Sequence, residues 1–196
     1  MPSIPDDDAG EATSDAGEPT VRRRNWRLIG WLAAITIVIT TIDQLTKVWA
    51  ESSLAGREPI EIVGDLLQLR LLYNSGAAFS IATGMTWLLT LIVAIVIVVV
   101  LRASARLGSP GWTAALGMLL GGAFGNLIDR LFRDPGFPEG HVVDFIDYGG
   151  LFVGNIADIA ITGAAVLIAI LTLRGSTIDG VTRTPASAPG GTDDPS

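Results

Sequence analysis

Four stretches of the chain run long and nearly free of charge: Leu28 to Ile42 (extendable to Trp49), Phe79 to Leu101, Leu107 to Ile128 and Leu151 to Leu173. A bilayer core of about 30 Å needs about 20 residues of helix, and each stretch reaches that once its polar end is included. The second contains LIVAIVIVVVL, which has no polar face and so suits lipid rather than the surface of a soluble domain. The pattern predicts four membrane helices, about 28–49, 79–101, 107–128 and 151–173. Elsewhere the period changes from that of a helix to that of a strand. Pro59 to Val63, Leu67 to Leu71 and the run HVVDFIDY (His141 to Tyr148) alternate apolar with polar residues, the mark of strands with one covered face. The expected fold is an all-α membrane protein, a four-transmembrane-helix bundle with a small outer β-sheet.

Lys and Arg near the helix ends set the expected orientation. Arg22, Arg23, Arg24 and Arg27 precede helix 1, Arg102 and Arg106 lie between helices 2 and 3, and Arg174 follows helix 4. The loop Ala50 to Ala78 carries only Arg57 and Arg70. Both termini are therefore expected in the cytoplasm, with loops 50–78 and 129–150 outside; Arg130 and Arg133 run against this pattern. The first apolar run leads into DQLTKVW rather than into a small-residue cleavage site, so it is expected to remain as an anchor.

Composition refines this picture at the ends. The 196 residues are 49% apolar and 17% charged with a net charge of −7, but residues 1–20 hold six acids and no base, residues 176–196 three acids and one Arg, and residues 21–175 eleven acids against twelve bases. The acidity belongs to segments rich in Pro, Gly, Ser, Thr and Asp, which bury too little to offset the entropy of ordering. Residues 1–22 and 176–196 are expected to be disordered tails around a membrane domain at 23–175. The acidic balance argues against nucleic acid as a partner. With no Cys and one His (His141), there is no disulfide, no thiolate nucleophile and no His-rich or Cys-ligated metal site, so catalysis would fall to carboxylates, hydroxyls or Lys.

Polar residues in membrane segments are expensive, so their positions carry the functional signal. Helix 1 exits outward through Asp43, Gln44, Thr46 and Lys47, helix 3 through Asn126, Asp129 and Arg130, and helix 4 enters with Asn155 and Asp158 in its first turns. Asn74, Ser75 and Asp144 approach the same level from the loops. Asp43 with Lys47 (i, i+4) and Asn155 with Asp158 (i, i+3) each share a helix face. The first pair is read before anything else as an intrahelical ion pair. Asp129 and Arg130, being adjacent, must find partners elsewhere. Gly117, Gly121 and Gly125 recur every fourth residue, a spacing that lets helix backbones approach, and GGAFGNLIDR lacks the Lys and Ser or Thr of a phosphate loop.

Asp144 and Asp158 differ from the other acids, since each sits among apolar residues with no base within three positions. Two carboxylates in a partly dry site share one proton, which is the state that activates water for peptide hydrolysis. Taken singly, each also fits a hydrogen-bonded helix or strand terminus, and neither spacing nor composition brings the two together.

In order along the chain stand DQLTK (Asp43 to Lys47), YNSGAAFS (Tyr73 to Ser80), GGAFGNLIDR (Gly121 to Arg130), HVVDFID (His141 to Asp147) and NIAD (Asn155 to Asp158). This series resembles the lipoprotein signal peptidase family, signal peptidase II, from about Asp43 to Ile161. The resemblance implies a four-helix aspartic peptidase of the bacterial inner membrane that needs no metal or cofactor. It would remove the signal peptide from diacylglyceryl-modified prolipoproteins by cutting before the lipidated Cys, with membrane lipid as its surroundings. It implies Asp144 and Asp158 as the catalytic pair, with Asp43, Lys47, Asn74, Gly125, Asn126, Asp129, Arg130 and Asn155 binding substrate or bracing the site. The chain departs from the family pattern at Gly154, where Phe usually precedes the Asn; here Phe152 lies two residues earlier.

Three rivals remain at this stage. A proton- or cation-coupled transporter would also place Asp in membrane helices, but such sites tend toward the bilayer midplane and lie between repeats, whereas here no repeat is visible and the cluster keeps to one leaflet. A non-catalytic membrane scaffold is the second. Within peptidases, Ser75 with Lys47 as base is the third, although nothing specific activates Ser75.

Overall fold

The computed structural model describes residues 25–76 and 86–180. The expected N-terminal tail, the first residues expected of helix 2 and residues 181–196 lie outside the described residues. Four helices form: α1 (Trp26–Leu54), α2 (Thr86–Ser104), α3 (Pro110–Phe132) and α4 (Ile156–Leu173). Each is long and apolar enough to cross a bilayer. The large apolar residues they leave exposed, among them Ile37, Ile95, Val99 and Val166, are those a lipid phase would cover. The start of α1 is set by Asn25, whose side chain accepts a hydrogen bond from the Leu28 amide, and that of α3 by Pro110, whose missing N–H a first helical position does not need.

The expected helix ends shift in ways that matter for the site. Helix α1 continues to Leu54 and α3 to Phe132, so Asp129 and Arg130 lie within a helix instead of at its exit. Helix α4 starts at Ile156 instead of Leu151. Gly149 and Gly150, with φ of 63° and 76°, turn the chain, and the next residues extend into a strand before Asn155 caps the helix. The strands are β1 (Ile60–Val63), β2 (Leu67–Asn74), β3 (Val142–Asp147) and β4 (Val153–Gly154), in the order β1-β2-β3-β4 and antiparallel throughout. Strand β2 runs past the expected Leu71 to Asn74, pairing Leu72 with Asp144 and Asn74 with Val142. The four-helix fold with its small sheet is thus as the sequence pattern predicts, with β4 as an unexpected short edge.

Helix α3 is the centre of the bundle. A Cβ at Gly121 would come 2.7 Å from Ile39 Cβ on α1, and one at Gly122 would come 2.5 Å from the Ala157 carbonyl oxygen on α4. The bare glycine faces thus bring both neighbours within backbone reach. On α1, Thr36, Thr40 and Gln44 are spaced four apart, matching Gly117, Gly121 and Gly125. Their side chains donate to those three carbonyls at 3.3, 3.0 and 3.0 Å. One apolar cluster joins Leu32, Ile97, Val100, Trp112, Leu116 and Leu120 across α1, α2 and α3. A second, of Ala50, Leu54 and Phe145, seats the sheet on the end of α1, with Trp49 edge-on to Phe145. After α4 the chain folds back: the Gly108 amide donates to the Ile178 carbonyl at 2.9 Å and Trp112 Nε1 to the Ser176 carbonyl at 3.2 Å. Residues 176–180, expected in the C-terminal tail, therefore rest on the turn between α2 and α3.

Candidate active site

At the sheet-bearing end, the polar residues of α1, α3, β2, β3 and α4 meet. Lys47 Nζ, fully buried, lies 2.8 Å from Asp43 Oδ2 and 2.7 Å from Asp129 Oδ2, and donates to Asn126 Oδ1 at 2.9 Å. The i, i+4 pair expected on α1 is therefore one arm of a bridge between two helices. Asp43 Oδ1 also accepts from the Ala157 amide at 2.9 Å, placing an anion at the N-terminus of α4, where its dipole and free amides favour one. Asp129 accepts from Gln44 Nε2 at 3.1 Å, Arg133 Nε at 2.7 Å and the Val143 amide at 3.2 Å. Arg133 continues to Glu51 on α1. Each of these buried charges has a close opposite charge, the condition under which burial is tolerated.

Gly125 belongs to this bridge by what it lacks. A Cβ there would fall 2.4 Å from Asp43 Oδ2, so the carboxylate occupies the space a side chain would take.

Asp144 and Asp158 stand beside the bridge and are held differently. Asp144, 1% exposed on β3, accepts from Asn74 Nδ2 at 2.8 Å and Asn155 Nδ2 at 2.6 Å. Asn74 lies diagonally across the β2–β3 ladder, within side-chain reach because β2 extends that far. Asp158 accepts from Asn126 Nδ2 at 3.1 Å and the Asn155 amide at 3.2 Å, while its own amide donates to Asn155 Oδ1 at 3.0 Å. The last two bonds form the capping box of α4. Asn155 is therefore the hub: one side-chain amide reaches Asp144 while the same residue's backbone reaches Asp158. Its Nδ2 also lies 3.2 Å from Asn126 Oδ1, closing the network back to Lys47.

Electrostatics separates the two regions. Burial, helped by the nearby charge of Asp158, pushes the Asp144 carboxyl from its ordinary 3.8 up to about 6, against hydrogen bonds from Asn74 and Asn155 and the charge of Lys47. Each Asp is thus held by neutral amides, and Asp144 feels the charge of Asp158. Arg130, 7% exposed, lies in the attractive field of Asp144, Asp129 and Asp158. Its Nη1 makes no hydrogen bond among the described residues. A buried guanidinium with an unpaired donor, in the field of nearby carboxylates, is suited to receive a further acceptor.

All ten residues singled out from the sequence gather here: Asp43, Lys47, Asn74, Gly125, Asn126, Asp129, Arg130, Asp144, Asn155 and Asp158. Gln44, Glu51 and Arg133 join them without having been assigned a role. Gly154 also finds its physical reason. A Cβ at this position would lie 2.6 Å from Phe152 Cε1 and 3.0 Å from Asp158 Oδ2. The Phe152 ring and the carboxylate close over a bare Cα.

Together these features define a multi-pass membrane protein with a pair of amide-held carboxylates, Asp144 buried and Asp158 partly buried, at one end of a four-helix bundle. The chain belongs to the signal peptidase II family: residues 35–174 match the family described as Signal peptidase (SPase) II. It is 45% identical over 188 residues to a lipoprotein signal peptidase of Mycobacterium tuberculosis (strain ATCC 25618 / H37Rv), covering 93% of each chain. It is 46% identical over 175 residues to one of Rhodococcus jostii (strain RHA1), covering 89% of this chain and 85% of that one. Two solved structures described as bacterial membrane enzymes have the same fold. One matches with a TM-score of 0.66 at 27% identity, over 76% of this chain and 96% of that one, and the other with 0.65 at 29% identity, over 75% and 90%.

Proposed function

We propose that Asp144 and Asp158 are the catalytic pair of an aspartic endopeptidase that removes the signal peptide from diacylglyceryl-modified prolipoproteins, cutting before the lipidated Cys. The observation that carries this reading is the shared hub Asn155, which holds Asp144 and Asp158 through neutral donors at 2.6 and 3.2 Å, with no ion pair to either among the described residues. One proton on the pair is the working state. The ionised carboxylate takes a proton from water as its oxygen attacks the scissile carbonyl, and the protonated one donates to the carbonyl oxygen. The tetrahedral intermediate then collapses as a proton passes to the departing amide nitrogen and the C–N bond breaks. Arg130 Nη1, without a hydrogen bond among the described residues, would donate to a substrate carbonyl and align the chain.

In this reading both termini are cytoplasmic, as the Arg distribution favours, and the pair lies near the outer leaflet. A substrate anchored by its own lipid then presents the scissile bond at the depth of the carboxylates. The test is cleavage of a diacylglyceryl-modified prolipoprotein by the purified protein in detergent, with Asp144→Asn and Asp158→Asn beside it. Cleavage by the unaltered protein, lost in either folded variant, is expected; no cleavage by a folded, unaltered protein would overturn the reading.

A further inference from the structure

Between Thr86 and Arg102, helix α2 carries one other polar side chain, Thr90. The two threonines are one turn apart on one face, and both are buried, 7% and 6% exposed. A hydroxyl on a membrane helix commonly turns its hydrogen back onto its own helix, as Ser104 does to the Val100 carbonyl and Thr172 to that of Ile168, each at 2.8 Å. Thr86 and Thr90 reach away from α2 instead. Thr86 Oγ1 donates to the Ser75 carbonyl at 2.9 Å, and Thr90 Oγ1 lies 2.7 Å from the Pro138 carbonyl, nearer than the 3.3 Å to the Thr86 carbonyl on its own helix. The two outside carbonyls belong to the segments that leave β2 and lead into β3, the strands that carry Asn74 and Asp144.

The Ser75 carbonyl has a second importance. It shares one rigid peptide plane with the Gly76 amide, so holding one end aims the other. The Gly76 amide donates to Asn74 Oδ1 at 2.7 Å, a turn closed by the side chain. With its oxygen engaged there, the Asn74 carboxamide directs its NH2 the other way, and Nδ2 donates to Asp144 Oδ2 at 2.8 Å. Rotated by half a turn, the same group would set its oxygen against the carboxylate. Gly76 suits the plane twice over: its φ of 92° favours glycine, and a Cβ there would come 2.2 Å from Leu89 Cδ1 on α2. A relay therefore runs from the Thr86 hydroxyl through one peptide plane and one carboxamide to Asp144.

Resting on the functional reading above, we propose that Thr86 is a positioning residue for the carboxylate pair: it pins the Ser75–Gly76 peptide, which keeps Asn74 turned with its donor toward Asp144. Other charged groups act on Asp144 from different elements. Lys47 on α1, Arg130 on α3 and Asp158 on α4 lie in its field, and Asp129 on α3 accepts from the neighbouring Val143 amide. The relay from α2 reaches Asp144 through Asn74. An amide donor favours the ionised carboxylate, so loosening the relay raises the pH at which the pair loses its working proton.

The experiment records full pH profiles of kcat/KM for cleavage of a diacylglyceryl-modified prolipoprotein in detergent. Thr86→Val keeps the branched shape and removes the hydroxyl. The alkaline limb is expected to move up by about half a pH unit, and Thr86→Ser, which keeps the hydroxyl, is expected to hold it in place. With Asn74→Ala already present, Thr86→Val is expected to move the limb by less than about 0.2 unit, because the relay is already cut. Thr86→Ala tests the same loss of a donor if Thr86→Val folds poorly. Thr90→Val removes the other buried hydroxyl of α2 and is expected to leave the limb where it is. The inference is overturned by a limb unmoved in the folded Thr86 variants, by a shift that Thr86→Ser or Thr90→Val shares, or by one that persists in full without Asn74. Each of those results leaves the peptidase reading standing. Failure of the unaltered, folded protein to cleave would instead overturn that reading and this inference with it.

Discussion

Two groups of carboxylates sit within one site, and they are held in opposite ways. Asp43 and Asp129 are bridged by Lys47 at 2.8 and 2.7 Å, with Arg133 on Asp129 as well. Asp144 and Asp158 touch side-chain or backbone amides and no cation. An acid paired with a buried ammonium is tied to its partner by charge, which makes it a good brace. An acid held by neutral amides keeps its position and can still change its proton. In the proposed reading the α1–α3 bridge and the β3–α4 pair divide the work into holding and titrating, although they lie in contact through Asn126.

The largest expected effect comes from making the titrating pair unable to titrate. Asp144→Asn and Asp158→Asn keep shape and lose the ionisable group, so turnover should fall by at least about 10³-fold, the upper range of general acid–base contributions, while the detergent-solubilised protein keeps its thermal midpoint within a few degrees. Turnover assays and a melting curve on the same samples check both halves. Substantial activity in either folded variant would dissolve the distinction between the two groups.

The converse substitution belongs to the bridge. Lys47→Met removes the shared cation and leaves Asp43 and Asp129 facing each other in a buried setting. Breaking a buried pair in this way costs about 3–5 kcal/mol. The loss should appear in thermal unfolding, and the low-temperature kcat of molecules that remain folded should suffer less than in the Asp144 and Asp158 variants. A Lys47→Met protein as stable as the original would mean that the bridge braces nothing.

Much of this contrast was visible in the sequence, and the part that was not has a physical cause. Spacing within one helix reports a shared face, so the i, i+4 relation of Asp43 and Lys47 was readable. That Lys47 also reaches Asp129 was not, because the contact joins two helices far apart in sequence. Thr36, Thr40 and Gln44 repeat every fourth residue just as Gly117, Gly121 and Gly125 do. Two matching periods, one of donors and one of bare backbone, were the signal for the α1–α3 seam, but only the glycine half was noticed. Arg133 looked like an exception to the charge pattern because its partners, Glu51 and Asp129, come from different elements. The late start of α4 was hidden by the apolar run Leu151 to Val153, which by hydropathy continues the helix. The turn glycines and the capping box Asn155-x-x-Asp158 mark the true start.

The pH response should separate the two groups more finely. With Asp144 at about 6 instead of 3.8, the folded protein binds this proton more tightly than the unfolded chain does. That contribution to stability is fully present below pH 3.8 and is lost as pH rises through about 6; at about 1.4 kcal/mol per pH unit it amounts to about 3 kcal/mol. In the proposed mechanism the same proton is needed for turnover, so kcat/KM should carry an alkaline limb that belongs to the coupled pair. Asn74 pulls Asp144 downward by its hydrogen bond, so Asn74→Ala should move that limb to higher pH, by up to about one unit for the loss of a single hydrogen bond to a carboxylate. A limb that stays in place, measured with full pH profiles of kcat/KM, would show that Asn74 positions the group without tuning it.

The smallest effect tests how far the brace extends. Thr40 donates to the Gly121 carbonyl at 3.0 Å, one turn from Gln44 along the same seam. Thr40→Val keeps the branched shape and removes only the donor, and such interhelical bonds contribute about 0.6 kcal/mol on average in membranes. A fall of that order in unfolding free energy is expected, with the alkaline limb of kcat/KM unmoved, because the change reaches neither Asn74 nor Asn155. If the limb shifted, the seam would be coupled to the protonation of the pair and the division between holding and titrating would fail. If stability alone changed, the glycine seam would be a support whose many small bonds can each be lost without touching the chemistry at its end.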